Sequence, residues 1–379
     1  MSGGVPKASV IVPCWNVEEW VEDAISSVLR GSFQDFEIIA VDDGSTDGTG
    51  AVLDRIAASD ARVRVIHQTN GGVSCARNRG LDAARGGYVF FIDPDDTCSP
   101  EMLSRSISAM EIGNVDYCVF AYRRRNMNGK DFSLIALKGD YRYRSNAEIR
   151  AGYLSRMFGY SFANVRMWYA GTPLFAHREE GYVWRCVYRR SLIEAHNIRF
   201  DERIILYEDA MFNCEYMLYV QAMFCLAEPM YDYTIQPQGA VMRLRRSRCE
   251  FMNKLAILRR RQEINRRAGG TLGDAYAASC VFALLEMFAL LRTVPIGWSE
   301  GRRIVREYAA DSEVRTAIRT FPLSWRKPVL ALAVLALRVF GAGVIYAVCW
   351  TLFAPFRRRV KCGDGDQSKD IPTATLHGE

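Results

Sequence analysis

Short apolar runs at 8–12, 36–41, 62–67 and 88–92 alternate with stretches of helical spacing at 17–29, 49–58 and 73–84. Such alternation demands a parallel α/β sheet, because parallel strands need a helical crossover to return to the same edge. Four strands with three crossovers make a mononucleotide-binding half-sheet, whose ligands sit outside the carboxyl ends of the strands. Here those ends carry Pro13, Asp42 with Asp43, and Asp93 with Asp95. Proline has no N–H for a ladder, so Pro13 is expected to stop the first strand and Pro94 the fourth.

The fourth run ends in three carboxylates, Asp93, Asp95 and Asp96. Acids crowded at the end of a buried strand repel one another and are costly to desolvate. A hard divalent cation, Mg or Mn, relieves both penalties, held by one or two carboxylates and by substrate phosphates. The bland alternative is a solvated acidic turn. Asp93-Pro-Asp95-Asp96-Thr97 also fits the D-x-D-x-T nucleophile motif of haloacid dehalogenase-like phosphatases. That chemistry needs a later lysine after a strand, and Lys130, Lys138 and Lys254 stand in no such setting. Asp43 to Gly48 resembles the start of a calcium loop, yet a strand precedes it and Asp54 stands where a bidentate glutamate belongs.

The net charge of +6 is carried mainly by arginine, with only seven lysines, and arginine forks suit phosphate and carboxylate recognition. Eleven scattered cysteines, without a C-x-x-C pair, fit reduced thiols and not a disulfide scaffold. The small, polar residues 1–7 predict no secretory leader, which puts the catalytic face in the cytoplasm.

Past Pro100 the pattern loosens into a mixed region rich in aromatic residues and arginine. Helical spacing resumes at Glu208, with Asp209 in the first turn, where the helix dipole is expected to hold a carboxylate ionised. Residues 250–320 read as packed helices. Residues 329–353 carry one charge, Arg338, and are long enough to cross a bilayer. A central arginine costs a span about 3 kcal/mol, so a helix or hairpin lying in the cytoplasmic leaflet is preferred, with a buried core helix as the alternative. The tail after Gly363 is expected to be disordered. The expected divisions are 1–110, 111–235, a helical extension 236–325, a membrane-associating segment 326–360 and the tail 361–379.

Ser9-Val-Ile-Val-Pro-Cys-Trp-Asn16, Val41-Asp-Asp-Gly-Ser-Thr-Asp47, Asn70-Gly-Gly-Val-Ser-Cys-Ala-Arg-Asn78 and Phe91-Ile-Asp-Pro-Asp-Asp96 occur in order. Trp184 to Tyr188, Phe200-Asp-Glu202 and Tyr207-Glu-Asp-Ala-Met-Phe212 follow them. Together they resemble the family 2 glycosyltransferases, over about residues 8–235. The resemblance implies the GT-A fold, a Rossmann-like mixed sheet, here with a C-terminal helical, membrane-associating extension. It implies that Pro13, Asn16 and Asp43 frame the nucleotide, that Arg77 and Asn78 lie near its base or diphosphate, and that Asp93 and Asp95 form the D-x-D pair. In that pair Asp93 meets ribose and metal waters and Asp95 the metal. Asp209 matches the catalytic base, with Glu208 beside it. The implied reaction is inverting, metal-dependent transfer of one sugar from a UDP-linked donor to a hydroxyl of a lipid-linked surface glycan, without nucleic acid. A silent nucleotide-sugar-binding partner of a membrane assembly complex is the alternative of a different class. The sequence leaves the oligomeric state open, a homodimer included. Trp168 and Tyr169 are read as core residues before acceptor-stacking ones.

Overall fold

The computed structural model describes residues 4–126, 132–135, 140–159, 161–171, 181–235, 248–294 and 296–352. Lys130, Lys138 and the tail lie outside them. The α/β alternation appears as read: β1 Ala8–Cys14, α1 Val21–Leu29, β2 Phe36–Asp43, α2 Thr49–Ser59, β3 Val63–Gln68, α3 Val73–Ala83 and β4 Tyr88–Phe91. There follow β5 Thr97–Cys98, α4 Met102–Gly113, β6 Tyr117–Asn126, β7 Phe132–Ile135, β8 Tyr141–Tyr143, α5 Phe162–Tyr169, β9 Cys186–Arg189, α6 Glu208–Tyr216 and β10 Met223–Ile235. The C-terminal part is helical: α7 Arg248–Arg267, α8 Gly273–Leu290, α9 Trp298–Ala310, α10 Ser312–Thr320 and α11 Pro328–Leu352.

The strands form one mixed sheet in the order β3-β2-β1-β4-β9-β6-β10-β5, with β7 beside β6 and β8 beside β10. β1 to β4 are mutually parallel, whereas β9 runs antiparallel to both β4 and β6. This reversal places the N-terminal half-sheet and the later strands around one crevice, at the carboxyl ends of β1, β2 and β4.

Pro13 does not end β1, which continues to Cys14 with Pro13 opposite Val41. The reason lies in alternation along the strand. The carbonyl of Ile11 faces β4, where it accepts from Ile92 N–H, so Pro13, two residues on, faces the same side. The β4 ladder ends at Ile11 and Phe91, and the missing proline donor therefore costs no sheet bond.

Phe91, the last residue of β4, ties the strand to what covers it. Its ring meets Tyr188, Phe200 and Phe212 edge-on at 5.8, 5.4 and 5.9 Å. Each such pair adds about 0.5–1.5 kcal/mol beyond area burial. Together they fix α6, and hence Asp209, over the strand that delivers Asp93. The same buried cluster continues through α7 to α11 as far as Tyr346, so the C-terminal helices share a core with one face of the sheet.

Candidate active site

Arg77 is the organising group of the crevice. Four residues into α3 and 3% exposed, it points its fork at acids from two distant segments. One terminal nitrogen donates to Asp209 Oδ1 at 2.5 Å and Glu208 Oε1 at 3.0 Å, and the other donates to Asp93 Oδ1 at 3.0 Å. Its guanidinium also lies over Phe200, 5.4 Å from the ring centroid. The sheet thus brings together Arg77, Asp93, Glu208 and Asp209, residues separated by as many as 132 positions.

A tight backbone approach positions α6. A Cβ on Gly181 would come within 2.6 Å of Ala210 Cα, so only glycine lets the 181–184 segment pass the first turn of the helix. Val183 N–H then donates to Asp209 Oδ2 at 3.4 Å. Asn213, one turn further on, donates to Gly181 O and accepts from the Tyr117 and Tyr188 hydroxyls, which locks the helix from beneath. Tyr207, just before Glu208, adopts φ 71°, a conformation a bulky side chain enters at about 1–3 kcal/mol. Strain of this kind persists where surrounding packing enforces it, and here it turns the two acids inward.

The dipole expectation for Asp209 is overturned. Burial dominates and pushes its carboxyl up to about 7, with Arg77 opposing and Glu208 adding to the rise. Burial likewise raises Asp93, against the pull of Arg77. Asp96 is raised well above the carboxylate range by burial and by Asp95 and Asp93. Its Oδ1 accepts from Thr234 N–H at 2.6 Å, and the Tyr231 hydroxyl lies beside the carboxyl.

Three acids, Asp93, Glu208 and Asp209, thus share one buried guanidinium, with Asp95 and Asp96 following Asp93 in the chain. All their donor atoms are oxygen, the preference of Mg and Mn. Among the described residues no three-ligand cluster of His, Cys, Asp or Glu exists. Oxygen donors of this kind are compatible with a hard divalent cation whose shell phosphates and water would complete.

The remaining residues singled out in the sequence take bracing positions. Asp43 accepts from Gly71 and Gly72 N–H and from the Gln68 amide, each at 2.8 Å, so it shapes the turn into α3 and has nothing to do with a calcium loop. Gly72 stands at φ 89°, which explains its residue type. Asp54 is turned elsewhere, onto His67. Asn16, at φ 52°, accepts from Thr46 N–H at 2.8 Å and holds the loop after β2 beside Pro13. The Asn78 amide is spent on Phe200, donating to its carbonyl at 3.0 Å and accepting from its N–H at 2.8 Å. Asn78 therefore reaches the site through Phe200, which backs Arg77. Trp168 and Tyr169 are core residues: Tyr169 donates to Pro322 O and Lys327 covers Trp168.

Sequence reading missed Tyr231. Its hydroxyl accepts from Asp93 N–H at 3.0 Å, and its ring stacks on Trp184 at 4.5 Å. Tyr182 and Tyr233 extend this parallel stack at 4.9 and 5.5 Å from Trp184. The alternation of tyrosines at 231 and 233 was the available signal, since it puts both on one face of a strand.

Residues 9–168 match the family model described as glycosyl transferase family 2. Over 335 residues the chain is 34% identical to EpsJ of Bacillus subtilis strain 168, an uncharacterized glycosyltransferase, covering 85% of this chain and 89% of that protein. The chain belongs to glycosyltransferase family 2. The transferase is also 35% identical, over 132 residues, to B. subtilis TuaG, named a putative teichuronic acid biosynthesis glycosyltransferase; that match spans 35% of this chain and 51% of TuaG. S. aureus TarS 1–349, solved in complex with UDP, superposes with a TM-score of 0.51 at 16% identity, over 95% of the transferase and 93% of that chain. At that identity the likeness concerns the fold, which is GT-A.

Proposed function

We propose that this glycosyltransferase moves one sugar at a time, with inversion, from a nucleotide sugar to a hydroxyl of a lipid-linked glycan at the cytoplasmic face of the membrane. The observation that carries the reading is the convergence of Asp93 and Asp209 on one buried arginine. A donor-side acid and an acid at a helix start thereby face the same small space.

Asp209 is the proton acceptor. An acceptor hydroxyl is a poor nucleophile until a carboxylate takes its proton as the new bond forms, and a carboxyl poised near neutrality is suited to the task. Arg77 and Val183 N–H orient it, with Glu208 held beside it by the same guanidinium. Displacement from the face opposite the leaving diphosphate inverts the anomeric centre. Asp93 and Asp95 would hold Mg or Mn, which when bound supplies charge neutralisation to the leaving diphosphate. Arg77 orients the acids and offsets part of their charge. Pro13, Asn16 and Asp43 shape the wall for base and ribose, with Asn78 supporting Arg77 through Phe200. UDP as the nucleotide is supported by the complex of the fold neighbour TarS, and a surface-glycan acceptor by the name of TuaG.

The test is release of nucleoside diphosphate from a panel of nucleotide sugars with membrane lipid extract and Mn or Mg, for wild type and Asp209→Asn. Turnover of one donor, abolished by EDTA and lowered about 10²–10⁴-fold in the variant, is expected. Metal-dependent binding without turnover would sink the catalytic reading and leave a silent sugar-nucleotide partner.

A further inference from the structure

Helix α11 is apolar on two sides. Ala331, Val334, Leu337, Ala342 and Tyr346 pack inward along its whole length, against α9 and α10. Val329, Leu332, Val339, Phe340, Val348 and Leu352 face outward, between 49 and 81% exposed. A row of this length exceeds what a soluble monomer ordinarily leaves to water.

Two features beside the row indicate what covers it. The first is charge. A groove of about 520 Å³ runs along α9, lined by Trp298, Arg302, Arg303, Arg306 and Glu307. Glu307 is already paired with Arg259 and Arg303. Arg302 and Arg306, one turn apart, make no ion pair among the described residues; Arg302 lies 5.9 Å over the Trp298 ring. The second is an aromatic cluster joining groove to row: Trp298 meets Tyr346 at 5.2 Å and Trp350 at 5.4 Å. Aromatic rings between an apolar face and unpaired arginines match the layering of a bilayer surface, from acyl chains through the interface to phosphates.

The packing also decides how the helix meets the membrane. Along its length α11 is bonded to helices that carry Arg302, Arg303, Arg306, Arg315 and Arg319 on their outer faces. Were α11 to span, those charges would enter hydrocarbon at roughly 2.5–3.5 kcal/mol each. Lying flat keeps them in the headgroup layer. The helix is broken at Gly341, φ 74°.

We propose that α9 and α11 form a monotopic platform that docks on an anionic bilayer, the outer row of α11 among the acyl chains and Arg302 with Arg306 on a phospholipid phosphate in the groove. The proposal deepens the membrane-face reading above and stands apart from the chemistry of the crevice.

The test is co-sedimentation of the full chain with vesicles of phosphatidylcholine alone and of phosphatidylcholine with phosphatidylglycerol. Wild type should prefer the anionic vesicles. Arg302→Gln/Arg306→Gln should weaken anionic binding about 25-fold and leave neutral binding unchanged, at about fivefold per arginine near a charged surface. Val339→Asp/Phe340→Asp should lose both by on the order of 100-fold. The substituted residues are exposed, and thermal melts at wild-type temperature verify folding. Anionic binding undiminished in the glutamine variant overturns the groove. A wild-type dimer that Val339→Asp/Phe340→Asp splits, with no vesicle binding by either, overturns the platform in favour of a second copy of the chain. Asp209→Asn should bind vesicles like wild type, so failure of the transferase reading leaves this result untouched.

Discussion

The crevice and the α11 platform solve opposite problems. In the crevice, charge is inside: Arg77 is buried and shared among Asp93, Glu208 and Asp209, so the low dielectric is offset by partners the chain supplies itself. On the platform, apolar surface is outside, and Arg302 and Arg306 pair with no acid among the described residues. The first region is complete before ligand arrives except for its excess of acid; the second is incomplete until something apolar and anionic meets it. Unbalanced surface thus identifies the partner better than balanced surface does.

The sharpest way to break this comparison is to remove the crevice's balance. Arg77→Met strips the counter-charge from three acids and should destabilise the fold by about 3–5 kcal/mol in denaturant titration, because uncompensated buried charge is left behind. A change below about 1 kcal/mol would mean that water already screens the cluster, and the contrast with the platform would fall. Adding Asp93→Asn to Arg77→Met should recover part of the loss, by removing one of the stranded charges.

The pH dependence sharpens the contrast within one residue. Asp209 is raised from an ordinary 3.8 to about 7, so between those values the folded state holds a proton that the unfolded state has lost. Its contribution to stability is full below the ordinary value and is lost as pH rises through about 7. Activity runs the other way, since the base must be free: kcat/KM should climb tenfold per pH unit and level off above about 7. Asp209→Asn should flatten both curves, as read by turnover and by melting temperature across pH. Vesicle binding by the platform should not follow this profile.

The two regions also differ in how legible they were. Strand and helix alternation up to β4 was readable because local period and tertiary role agree there, β1, β2 and β4 being buried on both faces. Asp93 with Asp95, and Glu208 with Asp209, stood out in the sequence as acids in odd places. Arg77's bridge was not, since a contact across 132 positions leaves no periodic trace. The state of Asp209 was misjudged for a related reason: the helix dipole is visible in sequence, whereas burial comes from packing between distant segments, such as Gly181 against Ala210. On α11 the sequence showed apolarity but not its two sides, because a helix apolar all round carries no moment to read.

Arg338 provides the smallest and most discriminating effect. From sequence it is the lone charge of an apolar segment and counts against a simple span. In the fold its guanidinium donates to Ile318 O at 2.9 Å and Phe321 O at 2.7 Å, closing the carboxyl end of α10 with a cation where the dipole favours one. Arg338→Gln should therefore cost about 1 kcal/mol of stability, the scale of a helix-end contact near solvent, and leave vesicle binding within about twofold. The reverse outcome, unchanged melting with weakened anionic binding, would move Arg338 from the internally balanced charges to those that await the membrane. The platform would then hold three unpaired arginines, and the line between the two regions would run through α11 itself.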